Sequence, residues 1–269
     1  MAAPLLHHTL KRKLHKLQEM IAAPQKLARH EERLHDLRVS LKEWRAALRL
    51  LQGTAPDFPA MEISERFRPV FHSAGGVRFW QLQRSFLNRS GAQLQPFAGH
   101  YRAHIRARLR QARRDFQASA KTGWPQWREL QPAVRHASAT CTPQSVQVYF
   151  DDLQDAMIAK KAVLDRRRAS ELHELRKLLR EYSDNRKLIT RHPHFDAGVP
   201  RGLSADITAV VELLGDWHDQ DAACRQLAEY LRSPACSGEV LMQGKTVLRV
   251  WRKNERVMWD RIMDEMALT

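Results

Sequence analysis

The chain has 269 residues and sets 45 Lys and Arg against 30 Asp and Glu, a formal net charge of +15 at neutral pH. With 43% hydrophobic residues it holds ample material for a packed core, which argues against a disordered polycation. Cys141, Cys224 and Cys236 form no CxxC pair, so neither a disulfide framework nor a structural zinc is expected. No apolar run reaches the ~18 residues of a membrane span, and the opening MAAPLLHHTLKRKLHKLQEM lacks a signal-peptide core. These features predict a cytoplasmic protein.

Beta signals are nearly absent, and long segments carry helical periodicity bounded by Pro or Gly. Helices are predicted over 5–22, 26–52, 60–72, 76–91 and 94–120, then over 143–159, 162–190, 203–232 and 239–266. The first places Leu10, Leu14, Leu17 and Ile21 on one face and Lys11, Arg12, Lys13 and Lys16 on others. That pattern suits packing within a bundle and, as the alternative, an anionic membrane surface. Lys121 to Pro143, with Gly123, Pro125 and Pro132, is expected to join two halves, and residues 191–202 (RHPHFDAGVPRG) to separate two helices.

The second long helix is repeated. Leu34–Arg49 (LHDLRVSLKEWRAALR) and Leu172–Lys187 (LHELRKLLREYSDNRK) align without a gap, with identity at His35/His173, Arg38/Arg176 and Glu43/Glu181. A tandem duplication follows. The expected fold class is all-α: two pseudo-symmetric helical bundles of roughly four long helices each, residues 1–136 and 137–269, together one domain.

Both copies keep an apolar stripe and a cationic stripe one residue behind it. Leu34, Leu37, Leu41, Trp44, Leu48 and Leu51 step by three and four, as one buried helical face does. His35, Arg38, Lys42, Arg45 and Arg49 follow, displaced by one residue; in the second copy they are His173, Arg176, Arg180 and Lys187, with a break at Ser183. The last long helix of each half repeats the theme, with Arg102, Arg106, Arg110 and Arg113 answered by Lys245, Arg249, Lys253 and Arg256. Like charges at this spacing repel by roughly 0.2–0.5 kcal/mol per pair. Their recurrence in paired positions points to a polyanionic ligand.

LHDLRVSLKEWRAALRLLQ resembles the signature helix of the CHAD family, the conserved histidine α-helical domain. LHELRKLLREY is similar to its second occurrence, and VELLGDWHDQDAACRQL (211–227) to a further family helix. The resemblance spans nearly the whole chain. It implies two four-helix bundles with a basic surface or cavity that binds inorganic polyphosphate, often at polyphosphate granules, and no catalytic site. Carried over, it puts polyphosphate contacts on His35, Arg38, Lys42, Arg45, Arg49, His173, Arg176, Arg180 and Lys187. The cations of the last helices are added from spacing alone. Two departures stand out: His218 replaces the motif's Arg, and in the first half Phe79 and Gln81 replace its acids.

Polyphosphate offers only charge, acceptor oxygens and spacing. Arg meets it with a planar fork and Lys with a mobile point charge. His35 to Arg49 would make a track about 21 Å long at 1.5 Å per residue. The histidines leave three roles open: phosphate donor, metal ligand or structural hydrogen bonder. An enzyme would add acidic metal ligands or a nucleophile; no GxxxxGK[ST] or HExxH motif occurs. The groups Asp216, Asp219, Asp221 and Asp151, Asp152, Asp155 are better read as partners of Lys and Arg, so no cofactor or resident metal is expected. The remaining rival is nonspecific nucleic-acid binding, which +15 would serve. Most aromatics fall on apolar faces, Trp124 and Trp127 being the exceptions that could stack bases.

Overall fold

The computed structural model describes residues 3–90, 93–121, 124–164, 169–191, 206–234 and 236–268. Every regular element among them is a helix: α1 (Ala3–Ile21), α2 (Pro24–Leu27), α3 (Glu31–Thr54), α4 (Ala60–Ser90), α5 (Phe97–Ser119), α6 (Trp127–Thr140), α7 (Pro143–Ala162), α8 (Ala169–Ile189), α9 (Asp206–Leu231) and α10 (Gly238–Leu268). The all-α class stands as expected.

Two long stretches differ from the sequence reading. The stretch 60–91, expected as two helices, is the single helix α4 with Pro69 inside it. Proline costs a helix interior ~3 kcal/mol; burial of Phe67, Val70, Ala74 and Val77 on the flanking turns offsets it. The expected join 121–143 contains α6, whose Leu130, Val134 and Ala137 are buried. Its Gly and Pro residues punctuate the segment without preventing a helix. The separator at 191–202 lies, beyond Arg191, outside the described residues.

The chain packs into two compact units, Met1–His72 with Gln117–Thr208, and Ser73–Phe116 with Ala209–Thr269. Each draws helices from both sequence halves, so packing does not follow a division at 136/137. The reason lies in the amphipathic faces: the repeated helices α3 and α8 pack on each other.

In the first unit α3 is the central helix, packed on α1, α6, α7 and α8. Its stripe of Leu34, Leu37, Leu41, Trp44, Leu48 and Leu51 is fully buried. Each such leucine contributes about 1.5–3 kcal/mol of transfer free energy. Leu10, Leu14, Leu17 and Ile21 of α1 are buried too, against α3 and α6. That resolves the first helix as a core element, with this apolar stripe turned inward. Thr142 starts α7 with a reciprocal cap: its Oγ1 accepts from the Ser145 amide at 3.1 Å, and Ser145 Oγ accepts from the Thr142 amide at 3.0 Å.

The α3–α7 approach depends on a missing side chain. A Cβ on Gly53 would lie 2.4 Å from the Tyr149 ring, far inside contact distance, and that ring is fixed by the hydrogen bonds of its hydroxyl. Gly53→Ala is expected to destabilise the fold by about 1–3 kcal/mol, the usual range for overpacking. Helix propensity alone favours alanine by ~1 kcal/mol. Chemical denaturation reads the difference, and a stabilised variant would contradict the close packing.

The second unit is built from the later part of α4 with α5, α9 and α10. Leu87, Phe97, Tyr101, Leu227, Tyr230, Val247 and Trp251 form its core. The Tyr101 hydroxyl donates to Gln83 Oε1 at 2.9 Å, and burial raises the Tyr101 pKa above its ordinary value. His104 sits between Trp80 and Tyr230; burial first and Arg108 second lower its pKa, holding it neutral.

Candidate anion-binding site

The apolar stripe of α5 (Tyr101, Ile105, Leu109, Ala112, Phe116) is buried in the second unit. The four arginines trailing it are thereby set along one edge. The structure brings Arg102, Arg106, Arg110 and Arg113 together with Arg84 and Asn88 of α4 around a cavity of about 440 Å³, with Leu109 as its apolar floor. No carboxylate lines it among the described residues. Arg106 and Arg110 are exposed, while Arg102, Arg113 and Arg84 are half-buried. Five arginines line one space, and their like charges favour a multiply charged anion with several acceptor oxygens.

Arg84 and Asn88 were not singled out from the sequence. Their spacing of four residues puts them on one face of α4, but nothing in the sequence said that this face meets α5. The counterpart set on α10, Lys245, Arg249, Lys253 and Arg256, is exposed.

The signature cations of the first unit have different fates. His35 and Arg49 are exposed, as is Lys187; Arg38, Lys42, Arg45, His173, Arg176 and Arg180 are half-buried. Arg49 forms an ion pair with Glu181, whose side chain is 9% exposed. Arg180 pairs with Asp184 at 2.9 Å. Burial nevertheless raises the Asp184 pKa, the Arg180 charge only partly opposing it. Arg38 donates to the Phe71 carbonyl at 3.2 Å, and Arg38 and Arg45 both lie over the Phe71 ring, at 5.1 and 5.0 Å from its centroid.

The repeated glutamates explain part of this arrangement. Glu43 takes the ammonium of Lys13 at 2.6 Å, so one basic residue of α1 is tied to the signature helix. Glu181 is held by Arg49 and by the Tyr149 hydroxyl at 2.8 Å. Asn185 donates to that hydroxyl at 2.7 Å and to the Ala46 carbonyl at 2.9 Å. The break in the second stripe at Ser183 is thereby a structural feature: Ser183, Asp184 and Asn185 are buried.

Among the residues read as acid partners, Asp221 pairs with Arg225 of its own helix at 2.8 Å. Trp124 packs edge-on against Phe67 at 5.1 Å and Trp127 against His7 at 5.1 Å. Both rings are half-buried and take part in internal packing. No described helix is long and apolar enough to cross a membrane.

Comparison with known proteins agrees with this architecture. The crystal structure of the CHAD domain from the plant Ricinus communis superposes with a TM-score of 0.70 at 18% identity, covering 100% of this chain and 92% of that one. PptA from Streptomyces chartreusis superposes with a TM-score of 0.64 at 15% identity, covering 96% of this chain and 99% of that one. At these identities the likeness speaks for the fold. No curated protein matches by sequence. The family model of the CHAD domain matches residues 12–228, and the chain therefore belongs to the CHAD domain family.

Proposed function

We propose that the protein binds inorganic polyphosphate and that the arginine cavity of the second unit is its anchoring site. The observation that carries this reading is the convergence of Arg84, Arg102, Arg106, Arg110 and Arg113 on one space without a lining acid. A linear polyphosphate would bring dense negative charge and acceptor oxygens at every unit, with no base that would need reading. Family membership supports the same ligand class, since the CHAD resemblance implies polyphosphate. Association with cytoplasmic polyphosphate granules is the cellular setting of this proposal.

The same geometry favours holding over turnover. The cavity is lined by five arginines, one asparagine and one leucine, side chains that can grip and orient an anion. None of these groups is a nucleophile or a base at neutral pH. The exposed stripe on α10 and the stripe on α3 would add weaker, screened attraction for a long chain.

Salt dependence tests the proposal. Five arginines neutralising five phosphates release counterions, and the single-strand value of about −0.7 per phosphate gives a log–log slope near −3.5. Titration of long polyphosphate between low and physiological salt is expected to show it. A slope shallower than about −2 would leave too few contacts for the cavity to be the anchor.

A further inference from the structure

Two exposed helix faces, one acidic and one basic, carry apolar side chains that the fold leaves uncovered. On α7, Val148, Asp151, Asp152, Asp155 and Ile158 fall within about 120° of the helix circumference, over about 15 Å of its length. All five are exposed, Val148 at 53% and Ile158 at 66%. On α10, Arg249, Val250, Lys253, Arg256 and Val257 occupy a face of about the same width, over about 12 Å. These too are exposed, Val250 at 43% and Val257 at 59%. Each face sets two apolar residues among three like charges, and the sign of the charge is opposite on the two helices.

Among the described residues no ion pair reaches Asp151, Asp152 or Asp155, nor Arg249, Lys253 or Arg256. Asp151 accepts from the Gln147 side-chain amide at 2.7 Å, an uncharged donor. Lys160, near the end of the same helix, is taken by Glu171 at 2.9 Å. Like charges three and four residues apart destabilise each helix, and a surface of the opposite sign would turn that cost into attraction. Single exposed valines are ordinary on a protein surface; two of them framed by like charges, on each of two helices of opposite sign, make a matched pair of surfaces. A polyanion would answer the cations of α10 but leave Val250, Val257 and the whole α7 face unused. A second copy of the chain would set acid against cation and apolar against apolar at once.

We infer that the α7 face of one copy docks on the α10 face of a second copy, with Asp151, Asp152 and Asp155 against Arg249, Lys253 and Arg256 and the four apolar side chains among them. The two faces differ, so the contact is head-to-tail, of the kind that builds open chains or closed rings. A contact between two helices is small, which places it among weak, reversible associations with a Kd of roughly 10–100 µM. The net charge of +15 opposes it at low ionic strength. At about 0.15 M salt, where the Debye length is about 8 Å, that repulsion is screened while charges in contact still attract. The inference is independent of the polyphosphate reading, in which α10 is only an accessory surface.

Sedimentation velocity of the full chain at about 0.15 M salt, from about 5 to 200 µM protein to span the expected Kd, tests the inference. The wild type is expected to sediment faster as its concentration rises. Asp152→Lys with Asp155→Lys reverses the α7 face, and Arg249→Glu with Lys253→Glu reverses the α10 face. All four positions are exposed, and an unchanged circular dichroism spectrum and melting temperature confirm each fold. Each variant alone is expected to stay monomeric, because its α7 and α10 faces now bear like charge. An equimolar mixture of the two is expected to associate again, because the reversed faces complement each other. The α10 variant is the sharper case, since its lower net charge would by itself favour association. A wild type that stays monomeric up to about 200 µM overturns the inference, and so does a mixture that stays monomeric. Association that survives in the folded α7 variant would mean that a polyanion carried with the protein bridges its cations, and association that survives in the α10 variant would mean a different interface; either result overturns it. If a charge reversal lowers the melting temperature, Asp152→Asn with Asp155→Asn and Arg249→Gln with Lys253→Gln take their places. Each is expected to weaken self-association at least tenfold, and unchanged association overturns the inference.

Discussion

Replacing Arg106 and Arg110 together by alanine is expected to weaken polyphosphate binding by roughly ten- to a hundredfold at physiological salt. A hydrogen bond to a charged group is worth roughly 1.5–3 kcal/mol. Both arginines are exposed, so about half of that is the sensible allowance for each. At about 1.4 kcal/mol per decade, one to two decades follow. The comparison that gives the result meaning is Lys11→Ala with Lys16→Ala, which removes the same charge from exposed positions on α1 and is expected to cost less than threefold. Lys13 is unsuitable for that purpose because it is bonded to Glu43. Fluorescence anisotropy of labelled polyphosphate measures both pairs; equal losses would mean that net charge alone attracts the ligand.

Asn185→Ala is expected to lower stability by about 2–4 kcal/mol while leaving the arginine cavity intact. Asn185 is 0% exposed and supplies two buried hydrogen bonds, to the Ala46 carbonyl on α3 and the Tyr149 hydroxyl on α7. Its removal strands both acceptors, at about 1–3 kcal/mol each, and leaves a small void. At roughly 2–4 °C per kcal/mol for a chain of this size, the melting temperature should fall by about 5–12 °C. A shift under about 2 °C would show that water or rearrangement satisfies these groups. Because Asn185 belongs to the first unit and the arginine cavity to the second, polyphosphate affinity of the folded variant should stay within about twofold.

The apolar stripes of α1, α3 and α5 were legible because their period leaves one answer: each leucine or aromatic at three- and four-residue steps is buried. The cationic stripes were equally legible as patterns, but not their partners. Glu181 sits far along the chain from Arg49, and only the folded packing of α3 on α8 brings them together. Arg84 escaped notice for the same reason, since its value depends on α4 lying beside α5. The helix α6 was hidden by its own punctuation. Pro125 and Pro132 read as a join, although Leu130, Val134 and Ala137 carry a helical spacing that is buried in the structure. Asn185 shows the converse: an alignment of two copies marks it only as a departure, while its zero exposure makes it a core polar group.

The most direct test of a polyphosphate anchor is competition between long polyphosphate and single-stranded DNA of equal total charge, near physiological salt, for the wild-type chain and the Arg106→Ala, Arg110→Ala variant. Polyphosphate concentrates its charge on a chain narrow enough to enter a cavity of about 440 Å³, whereas DNA carries one charge per nucleotide with a base attached. The account predicts that polyphosphate displaces DNA with at least a tenfold preference, and that the double variant loses most of that preference. Equal affinity of the wild type for both polymers, or a preference that survives in the variant, would contradict it.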